Sequence, residues 1–133
     1  MRWDWVHADN PKLTWLKKLI AVRRDQRALR IGNFRRVEAD LQLVFERQTE
    51  RALDTVIVVT NPSPEVVTER MMIATADLMD DTPMVDLSGS AEAPPAGTIG
   101  AAFMTVTVPP EAALILKPRE QQRGGYSRYK RIP

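Results

Sequence analysis

The 133-residue chain contains no cysteine, which excludes disulfides, thiolate nucleophiles and cysteine–zinc sites. Histidine is nearly as scarce. His7 is the only one, so a histidine-rich metal site has no ligands, and in an aromatic N-terminal segment it reads as structural rather than as the base of a Ser-His-Asp triad. No apolar run approaches the ~18 residues of a membrane span. The opening Met1-Arg2-Trp3-Asp4-Trp5 lacks the basic-then-apolar order of a signal peptide, so the expected compartment is cytoplasmic.

What the chain does have is one dense run of β-branched residues. Thr55, Val56, Ile57, Val58, Val59 and Thr60 are stiff at χ1 and suited to a pleated, packed surface. Asn61-Pro62 ends the run, because the residue before proline is driven out of the α region. With apolar residues on both faces, the stretch Asp54 to Ser63 is expected to be a central strand, covered on both sides.

Charge is segregated. From Lys12 to Arg36 the bases stand against one acid, Asp25, whereas from Glu50 to Glu111 the only bases are Arg51 and Arg70. The tail is basic again through Arg119, Arg123, Arg128, Lys130 and Arg131. Such ends can meet nucleic acid. A solvated helix face and a tail lying on an acidic neighbour is the simpler reading. Tyr126 and Tyr129 among the tail's bases do not change it, since no nucleic-acid-binding fold signature accompanies them.

Asp9 or Asn10 can cap a helix that starts at Pro11 and runs to about Arg27. Leu13, Leu16 and Ile20 form one stripe, and Trp15, Leu19 and Val22 widen it to nearly half the circumference. A one-sided surface helix needs an arc of ~100°, so this one calls for more partner than one small sheet. Gly32-Asn33 then marks a turn. Strands are expected at Phe34 to Ala39, Leu41 to Gln48, the central run, Val66 to Ala74, Met84 to Leu87, Ala102 to Val108 and Ala112 to Leu116, the last two as a hairpin. Ser88 to Gly97 reads as a loop by composition. The expected fold is mainly β, an antiparallel β-sandwich of Greek-key type with about six to eight strands, preceded by one amphipathic N-terminal helix.

Candidate chemistry is sparse. Asp77, Asp80 and Asp81 lack the spacing and distal glutamate of a calcium loop. Gly124-Gly125 has no strand before it or helix after it, so it is no phosphate loop. Asn61-Pro62-Ser63 is disqualified as a glycosylation site by its proline. Trp3, Trp5 and Trp15 can stack on sugar rings, although tryptophans at the start of a helix more often anchor packing.

The order of these features resembles the C-terminal part of the α-amylase family of glycoside hydrolases. Trp15 to Arg23, Ala28-Leu29-Arg30 and Gly32-Asn33-Phe34 resemble the last barrel helix and the turn after it. Val44-Phe45-Glu46-Arg47, Val56 to Asn61 with Ser63, Asp86-Leu87-Ser88-Gly89 and Val106 to Leu116 resemble successive pieces of the family's C-terminal β-sandwich, and Met1-Arg2-Trp3-Asp4 resembles the piece before the helix. The resemblance spans roughly residues 1–117. It implies a division into a barrel-derived segment (1–31), a β-sandwich domain (32–117) and a basic tail (118–133).

The family's catalytic residues sit on upstream barrel strands, and no position here matches them. The resemblance therefore implies a non-catalytic module without catalytic, cofactor-binding or metal-binding residues, from a parent acting on α-glucans or maltooligosaccharides. The expected partner is the (β/α)₈ barrel of that parent; failing it, either a second copy meets the helix face of Trp15, Leu19 and Val22 or the helix folds back on the sandwich to cover that face. A carbohydrate-binding module using Trp3, Trp5 and Trp15, with α-glucan as ligand, is the alternative. A small nucleic-acid-associated protein is disfavoured.

Overall fold

A computed structural model describes residues 10–73, 78–89 and 96–119. Two helices, α1 (Pro11–Asp25) and α2 (Arg27–Ile31), precede eight strands: β1 (Asn33–Val37), β2 (Leu43–Gln48), β3 (Val56–Asn61), β4 (Val67–Met72), β5 (Pro83–Asp86), β6 (Gly97–Gly100), β7 (Phe103–Val108) and β8 (Ala112–Pro118). All neighbouring strands run antiparallel, in the order β1-β2-β3-β8-β5-β6-β7-β4. The sheet curls on itself so that β3 and β8 face β7, giving the expected sandwich-like arrangement.

Asn10 starts α1 by accepting from the amides of Lys12 (3.0 Å) and Leu13 (3.4 Å), with proline at the first position. The helix stops at Gln26, whose backbone is extended, and α2 follows as a separate turn. Gly32 ends α2. A Cβ there would lie 2.4 Å from the Ala28 carbonyl oxygen and 2.8 Å from that of Gln48, so only glycine fits. Arg47 fixes this corner by donating from Nε (3.2 Å) and Nη2 (3.0 Å) to the Gly32 oxygen.

The strand β3 is the spine, paired with β2 on one side and β8 on the other. Ile57 and Val59 enter the main core with Met71, Met84, Met104, Val106, Val108 and Leu116. Val56, on the opposite face, packs with Ile115 and Ala28, with Val58, Leu19, Val22 and Leu29 against them. Its two apolar faces thus meet the opposite layer and the helices, as expected of a strand with no polar side.

Three details depart from the expectations. The two last strands do not form a hairpin: β7 pairs with β4 and β6, while β8 pairs with β3 and β5. Pro109-Pro110 offers no N–H to a ladder, and the Glu111 amide goes instead to the Ser63 carbonyl (3.0 Å), so the chain crosses between layers. An unexpected strand, β6, forms at Gly97–Gly100. It turns into β7 through Ala101 (φ 49°) and Ala102 (φ 66°). The third departure is partial: Leu19 and Val22 fold back on the sheet, the alternative to meeting a second copy, while Trp15 (44% exposed), Leu16 (53%) and Ile20 (45%) remain open.

The β1–β2 connection is tied to the outer strand β4. The Glu69 carboxylate accepts from the amides of Asp40 and Leu41, and Gln42 Nε2 donates to the Val67 carbonyl (3.2 Å). Charged residues on both edge strands (Arg35 and Arg36, Glu69 and Arg70) discourage further strand addition.

Candidate functional site

Among the described residues a groove of about 610 Å³ opens at the N-terminal end of α1. Trp15 forms one wall, the end of β3 (Thr60, Asn61) with Pro62 a second, and Glu111, Ala112 and Ala113 at the start of β8 the third. The Trp15 side chain is 44% exposed. The second wall is rigid. Asn61 is buried, and its Nδ2 is shared among the carbonyls of Glu65 (2.7 Å), Pro109 (3.0 Å) and Val108 (3.2 Å), while Oδ1 accepts from the Ser63 amide (2.9 Å). The Thr60 hydroxyl donates to the Leu43 carbonyl (3.0 Å). The groove is thus lined by one tryptophan, two alanines and a proline beside the polar residues Thr60, Asn61 and Glu111.

A second polar cluster joins the helices to the β2–β3 connection. Arg27 Nη1 lies 2.8 Å from Glu50 Oε1 and 3.4 Å from Asp54 Oδ2, and Thr49 Oγ1 donates to the same Asp54 oxygen (2.9 Å). The Glu50 hydrogen bond raises Arg27 above the ordinary guanidinium value. Glu50 falls below the usual carboxylate range, first through a backbone hydrogen bond and then through Arg27. For Asp54 burial pushes upward, but the Thr49 hydroxyl, Arg27 and Arg51 outweigh it, so that carboxylate also lies low. Both acids converge on a cation at the surface, an arrangement that fastens elements and leaves no acid in its protonated form at neutral pH.

The remaining acids near turns are joints. Asp86 Oδ1 accepts from the Ser88 amide (2.9 Å), the Ser88 hydroxyl (2.6 Å) and the Ile115 amide (3.1 Å). Asp80 accepts from the Ala101 amide (2.8 Å), and Asp81 sits in a left-handed turn (φ 64°). Among the described residues no three His, Asp or Glu side chains gather as a metal site. None of the described helices is long and apolar enough to cross a membrane. Of the sugar-stacking candidates the structure brings Trp15 into the groove, whereas Trp3 and Trp5 lie outside the described residues, as do His7, Asp77 and the tail from 120 onward. Sequence reasoning missed Glu111 and Thr60, because only the crossing of β7 to β8 brings them to Trp15.

No family model and no curated protein sequence matches the chain. Solved structures do. An α-amylase from Geobacillus thermoleovorans, complexed with acarbose, aligns with a TM-score of 0.69 at 20% identity, over 91% of this chain and 25% of that one. The chain has the fold of one part of an α-amylase. An Anoxybacillus α-amylase aligns at 0.65 and 17% identity over 87% of this chain and 24% of that one. A Nostoc punctiforme debranching enzyme aligns at 0.57 and 20% over 76% and 19%. The chain thus spans a quarter or less of the amylase-fold enzymes it matches, and the likeness is one of fold.

Proposed function

We propose that the chain is the non-catalytic C-terminal β-sandwich module of an α-amylase-type glycosidase whose parent acts on α-glucans or maltooligosaccharides. In this reading residues 1–31 belong to the junction with the catalytic barrel, 32–117 are the sandwich and 118–133 are a basic arm lying on the barrel. The order of family-like segments from Trp15 to Leu116 supports it, as does a fold shared with about a quarter of an α-amylase.

The observation that carries the proposal is an uncovered apolar step. Lys18 Nζ reaches the Ser88 carbonyl just past β5, and Leu16 and Ile20 lie on the opposite side of the helix, toward β2. Beside them lies the outer face of β1–β2, which α2 meets at β2. It carries Phe34 (66% exposed) against Phe45, ring centroids 5.2 Å apart, and Leu43. Fully covering an exposed side chain of this kind contributes about 1.5–3 kcal/mol. These are already about half covered, so four or five together contribute roughly 3–8 kcal/mol, which reaches the lower part of the ~5–15 kcal/mol that hold a whole domain folded. Bases from Lys12 to Arg36 surround the step, which suits a partner face that is apolar with an acidic rim.

Among the described residues no pair of carboxylates supports catalysis by this piece alone. A retaining glycosidase needs two carboxyl groups ~5 Å apart across the scissile bond, whereas the groove holds only Glu111, and the pair Glu50–Asp54 is spent on Arg27. Sequencing the DNA upstream of the Met1 codon tests the proposal: an in-frame barrel without an intervening stop is expected, and its absence from the locus overturns the reading.

A further inference from the structure

We propose that β1 is a strap that lifts from the sheet and closes again, and that the buried Glu46 beneath it sets how often it lifts. The coupling of this strap to a docked partner rests on the function proposed above; the motion itself does not.

The strand is weakly held between two firm ends. Among the described residues it hydrogen-bonds along one edge only, to β2, and of its five side chains Val37 alone is buried. Just before it, Arg47 holds the Gly32 carbonyl. Just beyond it, the Glu69 carboxylate holds the Asp40 and Leu41 amides. Lifting between those ties takes one side chain, Val37, out of the core and parts Phe34 from Phe45. Sub-global openings of this kind occur where few apolar contacts hold an element down.

Beneath the strand lies a charge. Val37 and Arg35 stand opposite Val44 and Glu46, on the core face of the sheet. Glu46 is 1% exposed, with Ile57 across from it on β3, and its Oε1 lies 3.9 Å from Arg35 Nε. Among the described residues it is the one buried carboxylate. A buried ion pair, even a well-satisfied one, holds a fold less firmly than apolar side chains of the same size, because both charges must leave water. Lifting β1 makes β2 the edge strand and returns Glu46 to water. Docking has the opposite effect. Phe34 sits on β1, so a partner that covers it meets only the closed form and draws the equilibrium toward it, and its apparent affinity falls with the fraction of chains that are open.

The test is native-state amide exchange of the full chain, unsubstituted and as E46M, R35M and R35M/E46M, read strand by strand against β4, the other edge strand. In the unsubstituted chain the β1 amides bonded to β2 should be about tenfold less protected than the bonded amides of β4. E46M should raise β1 protection about tenfold and leave β4 nearly unchanged. R35M should lower it, because the carboxylate loses its cation while still buried, and the double variant should restore it. R35M alters a largely exposed side chain, so it stays informative even if E46M fails to fold. Protection of β1 equal to that of β4, a fall in E46M, or an equal rise across both strands would each overturn the strap. These readouts involve no partner, so a chain that passes them and docks nowhere upholds the strap and counts against the proposed function alone.

Discussion

Asn61 shows how one side chain can hold two layers. It stands 2% exposed at the end of the spine strand and bonds to the carbonyls at the end of β7 and just beyond it, where the chain leaves one layer for the other. Asn61→Ala would leave those carbonyls and the Ser63 amide short of partners, a loss of about 1–3 kcal/mol. A lower urea midpoint at unchanged slope is the expected signature. Ala101 and Ala102 mark the opposite case, residues that oppose their own conformation. Both occupy left-handed backbone in a two-residue hairpin turn, where Asn-Gly is the favoured pair. They are held there by the Asp80 carboxylate on the Ala101 amide and by the Ala102 carbonyl, which accepts from the Ile73 amide at 2.8 Å. The double variant A101N/A102G relieves that strain and should raise stability by about 1 kcal/mol or more, read as a higher midpoint in thermal unfolding.

At the scale of elements, the Arg27–Glu50–Asp54 cluster fastens the start of α2 to the turn between β2 and β3. Both carboxylates titrate below their ordinary values of 4.5 and 3.8. Their contribution is therefore complete above those values and is lost as pH falls through the lower folded ones. Amide exchange in α2 should stay flat from pH 7 to about 5, after correction for the intrinsic rate, and rise on further acidification. E50Q/D54N should show the faster exchange already at pH 7 and a flattened acid limb; an identical acid limb in both proteins would remove the cluster from the account.

The elements also differ in how far they could be read beforehand. The spine strand and α1 were legible because β-branching and a proline-started amphipathic repeat are local signals. The strand β6 was not, for the glycine that obscures it is needed there: a Cβ on Gly97 would come within 3.1 Å of the Thr105 carbonyl oxygen and 3.3 Å of Met104 Cγ. Its hairpin was hidden too, since Ala-Ala carries no turn signature. Pro109-Pro110 looked like the tip of a hairpin and is a crossing between layers. Nothing local says which strand β8 will join, so the groove built by that crossing was invisible as a site, although one of its walls, Trp15, was a candidate.

Viewed whole, the molecule packs α1 and α2 on one side of its curled sheet, and among the described residues Phe34 and Leu43 on the β1–β2 side stay exposed. The basic bias of Lys12 to Arg36 falls on the helices and β1, around that exposed side, and separates it from the acidic remainder of the chain. Under the proposed docking on a larger body, this exposed face is where the partner would lie. Sedimentation velocity with parallel bis-ANS fluorescence tests this directly, comparing the isolated chain with L16E/I20E/F34E. The account predicts that the unsubstituted chain associates with rising concentration or binds the dye, and that the triple variant is monomeric with weaker dye binding while still folded, at a modestly lower melting temperature because Phe34 gives up its contact with Phe45. An unsubstituted chain that stays monomeric and dye-silent across the same concentrations would contradict it.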